Sequence, residues 1–117
     1  MLVAMSDSPT NLDPVAVLAA LGNVNRLQMV TQMAGGMALP INELVRALGR
    51  SYKAVHKDMA VLYAAGAVAV RYGEDGRVGL FYIPEQYRPR PGVVDYGFCR
   101  LRFGVTEAEP VAAFAKD

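Results

Sequence analysis

A chain of 117 residues with 53% hydrophobic residues is long enough for one domain with one core, and too apolar to be disordered. A single cysteine, Cys99, excludes an internal disulfide, and a single histidine, His56, excludes a histidine-rich metal site. The formal net charge is only +1, which taken alone speaks against a strongly basic nucleic-acid binder.

In chain order, residues 1–12 read as a flexible polar tail. The opening has no basic start and no long apolar run, so neither a secretory signal nor a membrane span is expected, and the expected location is cytoplasmic. Asp13 followed by Pro14 predicts the capped start of a short helix, Val15 to Leu21. Asn23 predicts the cap of the next, in which Leu27, Val30 and Ala34 share a face until Gly35 and Gly36 end it. Met37 to Leu39 is read as a brief strand. Ile41 to Leu48 is read as the first helix of a helix-turn-helix, with Leu44, Ala47 and Leu48 facing inward.

Leu48 and Gly49 close that run, and the Ser51 hydroxyl is placed to accept from the unpaired N–H groups of a second helix. There Tyr52, Val55, Met59 and Leu62 form one apolar stripe, which leaves Lys53, His56, Lys57, Ala60 and Ala64 on the opposite face. Gly66 ends the helix. Val68, Val70 and Tyr72 then alternate with Ala67, Ala69 and Arg71, Glu74 to Arg77 turn the chain, and Val78, Leu80 and Tyr82 alternate on the return.

Helix, turn, helix and hairpin in this order make a winged helix-turn-helix. Long basic side chains can reach a phosphate or a base edge, while Ala60 and Ala64 leave no bulk to hold the helix away from a major groove about 12 Å wide. Arg71 and Arg77 place positive charge on the wing. Two plainer readings stand beside this one. Lys and Ala are good helix formers on any solvated face, and Glu74 and Asp75 share the hairpin tip with Arg77. Charge distribution favours the first reading: residues 46–102 carry ten Lys and Arg against five Asp and Glu, a balance of +5, whereas the segments on either side each sum to −2.

Beyond the wing, Pro84, Pro89, Pro91 and Gly92 exclude a long helix. Val94 to Phe103 alternates as one added strand, with Cys99, Leu101 and Phe103 on one side and Tyr96, Phe98, Arg100 and Arg102 on the other. Arg88 and Arg90 read as solvated loop arginines or as phosphate contacts. Residues 106–115 suit a short terminal helix or a loose tail. Nothing supports catalysis: there is no Gly-rich phosphate loop, no nucleophile elbow and no opposed carboxylate pair. Cys99 and His56 fall in different elements, and Cys99 reads as a buried structural cysteine. The expected fold class is α+β, mainly α, a winged helix-turn-helix with a two-stranded wing and an additional C-terminal strand. Residues 13–83 form the winged helix-turn-helix, 84–105 a Pro-rich loop and strand of the same domain, and 106–117 a C-terminal tail.

Ala20-Leu21-Gly22-Asn23-Val24-Asn25-Arg26-Leu27 resembles the opening of ArsR-type transcriptional repressors, and Glu43-Leu44 through Gly66-Ala67-Val68 resembles their helix-turn-helix. The resemblance covers about residues 13–83. The core from Tyr52 to Asp58 is also similar to prokaryotic winged-helix proteins known only as regulators. By position, the resemblance implies that Ser51, Tyr52, Lys53, His56 and Lys57 face DNA while Val55, Met59 and Leu62 are core. Arg50 at the helix entry and Arg71 and Arg77 on the wing complete the candidate set.

Metal-sensing members of that family carry thiols on the preceding helix, where this chain has Pro40, Asn42 and Val45, so neither metal nor cofactor is expected. The implied function is that of a sequence-specific regulator, a repressor, binding double-stranded DNA as a homodimer. The alternative is a winged-helix module that grips a protein, as an antitoxin-like or scaffold subunit. The expected two-fold interface joins Val15, Val17, Leu18 and Leu21 of the first helix to Tyr96 and Phe98 of the late strand. Recognition helices would then lie about one DNA turn, roughly 34 Å, apart. In the other arrangement the chain is a monomer whose late strand widens the wing sheet.

Overall fold

The structure, a computed structural model, describes residues 12–104. Four helices come first: α1 (Pro14–Leu21), α2 (Val24–Met33), α3 (Ile41–Leu48) and α4 (Tyr52–Ala65). Two antiparallel hairpins follow, β1 (Ala69–Tyr72) with β2 (Gly79–Tyr82) and β3 (Val93–Asp95) with β4 (Arg100–Arg102), separated by a 3-10 turn at Glu85–Tyr87.

Local chemistry sets the helix ends. The Asp13 carboxylate accepts from the Val15 N–H at 3.1 Å with Pro14 at the first helical position, and Asn23 Oδ1 accepts from the N–H groups of Asn25 and Arg26. Ser51 Oγ accepts from the Ala54 N–H at 3.1 Å. Gly49 and Gly66 take the left-handed conformation, at φ 66° and 86°, that lets α3 and α4 stop without a Cβ clash.

Helix α4 is the centre of the molecule, packed on each of the other three helices. Its inward stripe is Val55, Met59 and Leu62, all essentially fully buried. Val17 and Leu21 of α1, Met29, Val30 and Met33 of α2, and Leu44 of α3 close around it, with Leu27 partly buried at the margin. Each large apolar side chain so enclosed contributes about 1.5–3 kcal/mol of transfer free energy. Two expectations about facing are corrected. Ala47 is exposed, because the α3 stripe runs through Ile41, Leu44 and Leu48 and position 47 lies off it. Tyr52 is 54% exposed, because the buried stripe of α4 begins one turn later at Val55.

The first hairpin pairs Ala69 with Tyr82, Val70 with Phe81, Arg71 with Leu80 and Tyr72 with Gly79. Gly76, at φ 70°, carries its turn. The brief strand expected at residues 37–39 is a single bridge: Leu39 and Phe81 exchange two backbone hydrogen bonds of 2.8 Å. Pro40 comes next, has no N–H to add to the ladder, and opens α3.

The single strand expected over Val94–Phe103 is a second hairpin. Asp95 Oδ1 accepts from the Gly97 N–H at 2.8 Å, Gly97 takes φ 102°, and the Tyr96 N–H donates to the Cys99 carbonyl at 3.0 Å, so the chain reverses in mid-run. Cys99 therefore sits in the turn region, half-buried, outside either strand. Burial pushes its thiol pKa up.

The second hairpin docks onto the helices. Tyr96 is 2% exposed, its hydroxyl donates to the Ala67 carbonyl at 2.9 Å, and its ring lies 5.1 Å from that of Tyr87. The Gly92 N–H donates to the Ala34 carbonyl just past α2. Arg88 is built into the same junction, its Nε donating to the Ile83 carbonyl at 2.7 Å and its guanidinium lying over Gly36. It is thus a structural tie, which corrects its reading as a solvated or phosphate-contacting loop residue.

Candidate nucleic-acid interface

Positioning of the outer face of α4 begins with a residue that faces the other way. Asp58 is the only acid in α4 and is 8% exposed. Its Oδ1 accepts from Arg26 at 3.1 Å and its Oδ2 from Arg50 at 2.8 Å, while Arg26 Nε also donates to the Ala20 carbonyl at 2.7 Å. One carboxylate thereby ties the end of α1, the start of α2 and the turn before α4 to the middle of α4. Two guanidiniums on one carboxylate leave the cluster with a net positive charge.

With its acid turned inward, α4 shows solvent a face without negative charge. Lys53, His56, Lys57, Ala60 and Ala64 are all exposed, as the periodicity of the sequence requires. Ser51 is exposed at the helix start, its oxygen engaged as the cap. Tyr52 and His56, one turn apart, stack with ring centroids 5.9 Å apart. Arg50 differs from the rest of the candidate set: it is half-buried and its guanidinium is held by Asp58, so it stands behind the face rather than on it.

On the wing, Arg71 and Arg77 are both exposed. Arg71 lies over the Tyr82 ring, 5.4 Å from its centroid, an arrangement that holds the guanidinium against the hairpin. Arg77 leaves the turn with its N–H bonded to Asp75 Oδ1 at 3.0 Å.

Between α4 and the wing runs a cleft that brings the two sets together. One part, about 430 Å³, is bordered by Tyr52 and His56 of α4, Tyr72 and Arg77 of the wing and Asn42 of α3. An adjoining part, about 240 Å³, is bordered by His56, Ala60 and Tyr63 on one side and Val70, Tyr72 and Phe81 on the other. Tyr52, His56 and Arg77 thus share one concavity. Lys53 and Lys57 lie on the exposed face of α4 beside it, and Arg71 on the hairpin.

A family model described as HVO_A0114 matches residues 23–84, more than half of the chain. The chain belongs to the HVO_A0114 family. No curated protein matches its sequence significantly. Among solved structures, this HVO_A0114 family member is similar to HlyU from Vibrio cholerae N16961, at 22% identity and TM-score 0.55 over 73% of this chain and 83% of that one. It is similar to the homodimeric winged helix-turn-helix DNA-binding domain (fragment 1-100) of Mb0332 from Mycobacterium bovis, a possible ArsR-family regulator. That match has 23% identity and a TM-score of 0.56, covering 72% of this chain and 70% of that one. A predicted DNA-binding transcriptional regulator from E. coli matches at 21% identity and TM-score 0.56, over 74% and 86%. At these identities the likeness establishes the fold: this HVO_A0114 family member is a winged helix-turn-helix protein.

Two functional features are not apparent from sequence. Asp58 enters the charge balance as one acid among five, although a lone acid at position i+3 from Val55 and next to Met59 stands on the buried side of the helix and requires a cationic partner. The aromatic cleft has no signal in the sequence, because it joins His56 and Tyr63 of α4 to Tyr72 of β1 and Phe81 of β2, three separate stretches of chain.

Proposed function

We propose that this chain is a sequence-specific DNA-binding transcriptional regulator, a repressor acting in the cytoplasm as a homodimer. In this reading Lys53, His56 and Lys57 contact phosphates or base edges, Ser51 and Tyr52 shape sequence preference at the helix start, and Arg71 and Arg77 neutralise backbone phosphates beside the groove. Arg50 acts as a positioning residue through Asp58. The carrying observation is the inward turn of Asp58, the sole acid of α4, which leaves an exposed helix face of Lys, His, Lys and two small alanines.

The dimer is supported by Val15 and Leu18 of α1, 74% and 50% exposed, and by Phe98 at the second hairpin turn. Val17, Leu21 and Tyr96, expected in that interface, are buried in the chain's own core and are removed from it. The Mb0332 fragment is described as homodimeric. A two-fold arrangement would set the recognition helices about 34 Å apart on a palindromic site.

Genome-wide identification of bound DNA supplies the target sequence. On that duplex, fluorescence anisotropy of the Lys53→Ala, Lys57→Ala double variant should show binding weakened by about 1–3 kcal/mol for each specific interaction with DNA that is removed, with the fold intact. Unchanged affinity in a folded double variant would overturn the assignment.

A further inference from the structure

We infer that the cleft between α4 and the wing is a binding site for a small planar aromatic anion, and that its occupation releases DNA. The binding stands on the cleft itself; the release rests on the DNA-binding reading above.

The walls of the cleft are built for a flat apolar body. Met59, Val70, Phe81 and Ile41 supply aliphatic and aromatic surface, to which α4 adds Tyr63 and the wing adds Tyr72. Gly79 contributes by having no side chain, since a Cβ there would come within 3.2 Å of Val70 and 3.3 Å of the Tyr72 ring. Ala60 keeps the helix wall thin. The wider part, about 430 Å³, falls within the size range of small-ligand clefts, roughly 300–1,000 Å³, and the adjoining part adds an apolar recess of about 240 Å³.

Polar groups along the cleft select the charge of the occupant. Arg77 borders the wider part together with Asn42 and the stacked Tyr52–His56 pair, and no Asp or Glu lines either part among the described residues. A carboxylate or sulfonate at Arg77 gains a charge-assisted hydrogen bond while its ring system enters the smaller part, lined by Tyr63, Tyr72 and Phe81. A cation meets no carboxylate there.

Position supplies the consequence. The occupant lies between His56 of the recognition face and Arg77 of the wing, neutralises that arginine, and puts its own negative charge where a phosphate has to pass. Ligand and DNA then exclude one another.

Two probes separate the components of this inference. Anilinonaphthalene sulfonate is a fluorescent aromatic anion, and N-phenylnaphthylamine has the same rings without the sulfonate. Titrated onto the full chain, both should saturate at one site per chain. Arg77→Ala should weaken the sulfonate probe about tenfold, the loss expected for one charge-assisted hydrogen bond, and leave the neutral probe unchanged. Ala60→Phe, with helicity verified by circular dichroism, should abolish both; if that variant is misfolded, Tyr72→Ala serves in its place. Val24→Ser, which removes an exposed apolar residue elsewhere, should affect neither. Equal loss of both probes in Arg77→Ala, or probe binding that survives in folded Ala60→Phe, overturns the site. Binding of an oligothymidylate with neither probe bound also overturns it, in favour of an unstacked base as occupant.

On the identified duplex, saturating sulfonate probe should release the DNA; probe binding without release overturns the competition. If the chain binds no DNA at all, the regulatory reading fails while the two-probe result still decides the site.

Discussion

Asp58 accepts from two arginines at once, so its removal strands two partly buried guanidiniums rather than one side chain. Asp58→Ala should therefore cost on the order of 3 kcal/mol in urea unfolding. Arg50→Ala should cost less, because Asp58 keeps Arg26. A cost under about 0.5 kcal/mol, the range of surface substitutions, would show the cluster to be ornamental. A second test at this scale contrasts two glycines. Gly36, at φ 101°, has the Arg88 guanidinium 2.8 Å from where a Cβ would lie, whereas Gly49, at φ 66°, faces open space. Both alanine variants bear the left-handed backbone penalty, about 1–2 kcal/mol, but only Gly36→Ala must also displace Arg88 from the Ile83 carbonyl. Thermal melts should rank Gly36→Ala clearly below Gly49→Ala, and the reverse order would contradict the placement of Arg88.

The second hairpin is the element whose behaviour departs most from a plain strand, and its turn rests on Asp95. The Gly97 N–H and then the Arg100 side chain hold the Asp95 carboxyl below its ordinary value of 3.8. The folded pKa is thus lower than the unfolded one. The folded form prefers the carboxylate, the stabilisation is present above the unfolded value, and it fades as pH falls through the folded value. Asp95→Asn should accordingly be less stable than the parent near neutral pH, and the difference should shrink as the medium is acidified below the carboxylate range. Paired urea titrations at several pH values give the comparison; a gap that stays constant would assign the effect to turn geometry alone. At the same scale Tyr96 shows why this hairpin is part of the domain: its buried hydroxyl donates to the Ala67 carbonyl, and burial pushes its pKa up, which favours the neutral donor.

At the scale of the whole molecule, α1 carries apolar surface that the core does not use. Val17, Ala20 and Leu21 enter the core, yet Val15 and Leu18 stay in solvent on the other side of a two-turn helix. Replacing both with serine should leave the four-helix core intact and, if they form the two-fold contact, halve the mass measured by light scattering while weakening binding to a palindromic duplex. An undiminished dimer would move the interface off α1. Lys53 and Lys57 lie on another helix, so this loss should be separable from loss of the recognition face itself.

Helix positions, their caps and the wing were determined by sequence, because each depends on neighbours within a few residues. Asp13, Asn23 and Ser51 cap the helices that start after them, Gly49 and Gly66 stop the helices before them, and the 3.6-residue period alone puts Lys53, His56 and Lys57 opposite Met59 and Leu62. The exposure of Lys53, His56 and Lys57 was legible for the same reason. Tertiary structure decided the features that depend on distant partners. It assigned Arg50 to Asp58 and Arg88 to Ile83, since an arginine's partner can come from any element within reach of its long side chain. It folded Val94–Phe103 into a hairpin, because the apolar alternation of a strand persists through a turn whose Asp95–Gly97 hydrogen bond and Tyr96 anchor only the packed molecule reveals. It also assembled the aromatic cleft, for a concavity between a helix and a hairpin exists only once the two are packed side by side.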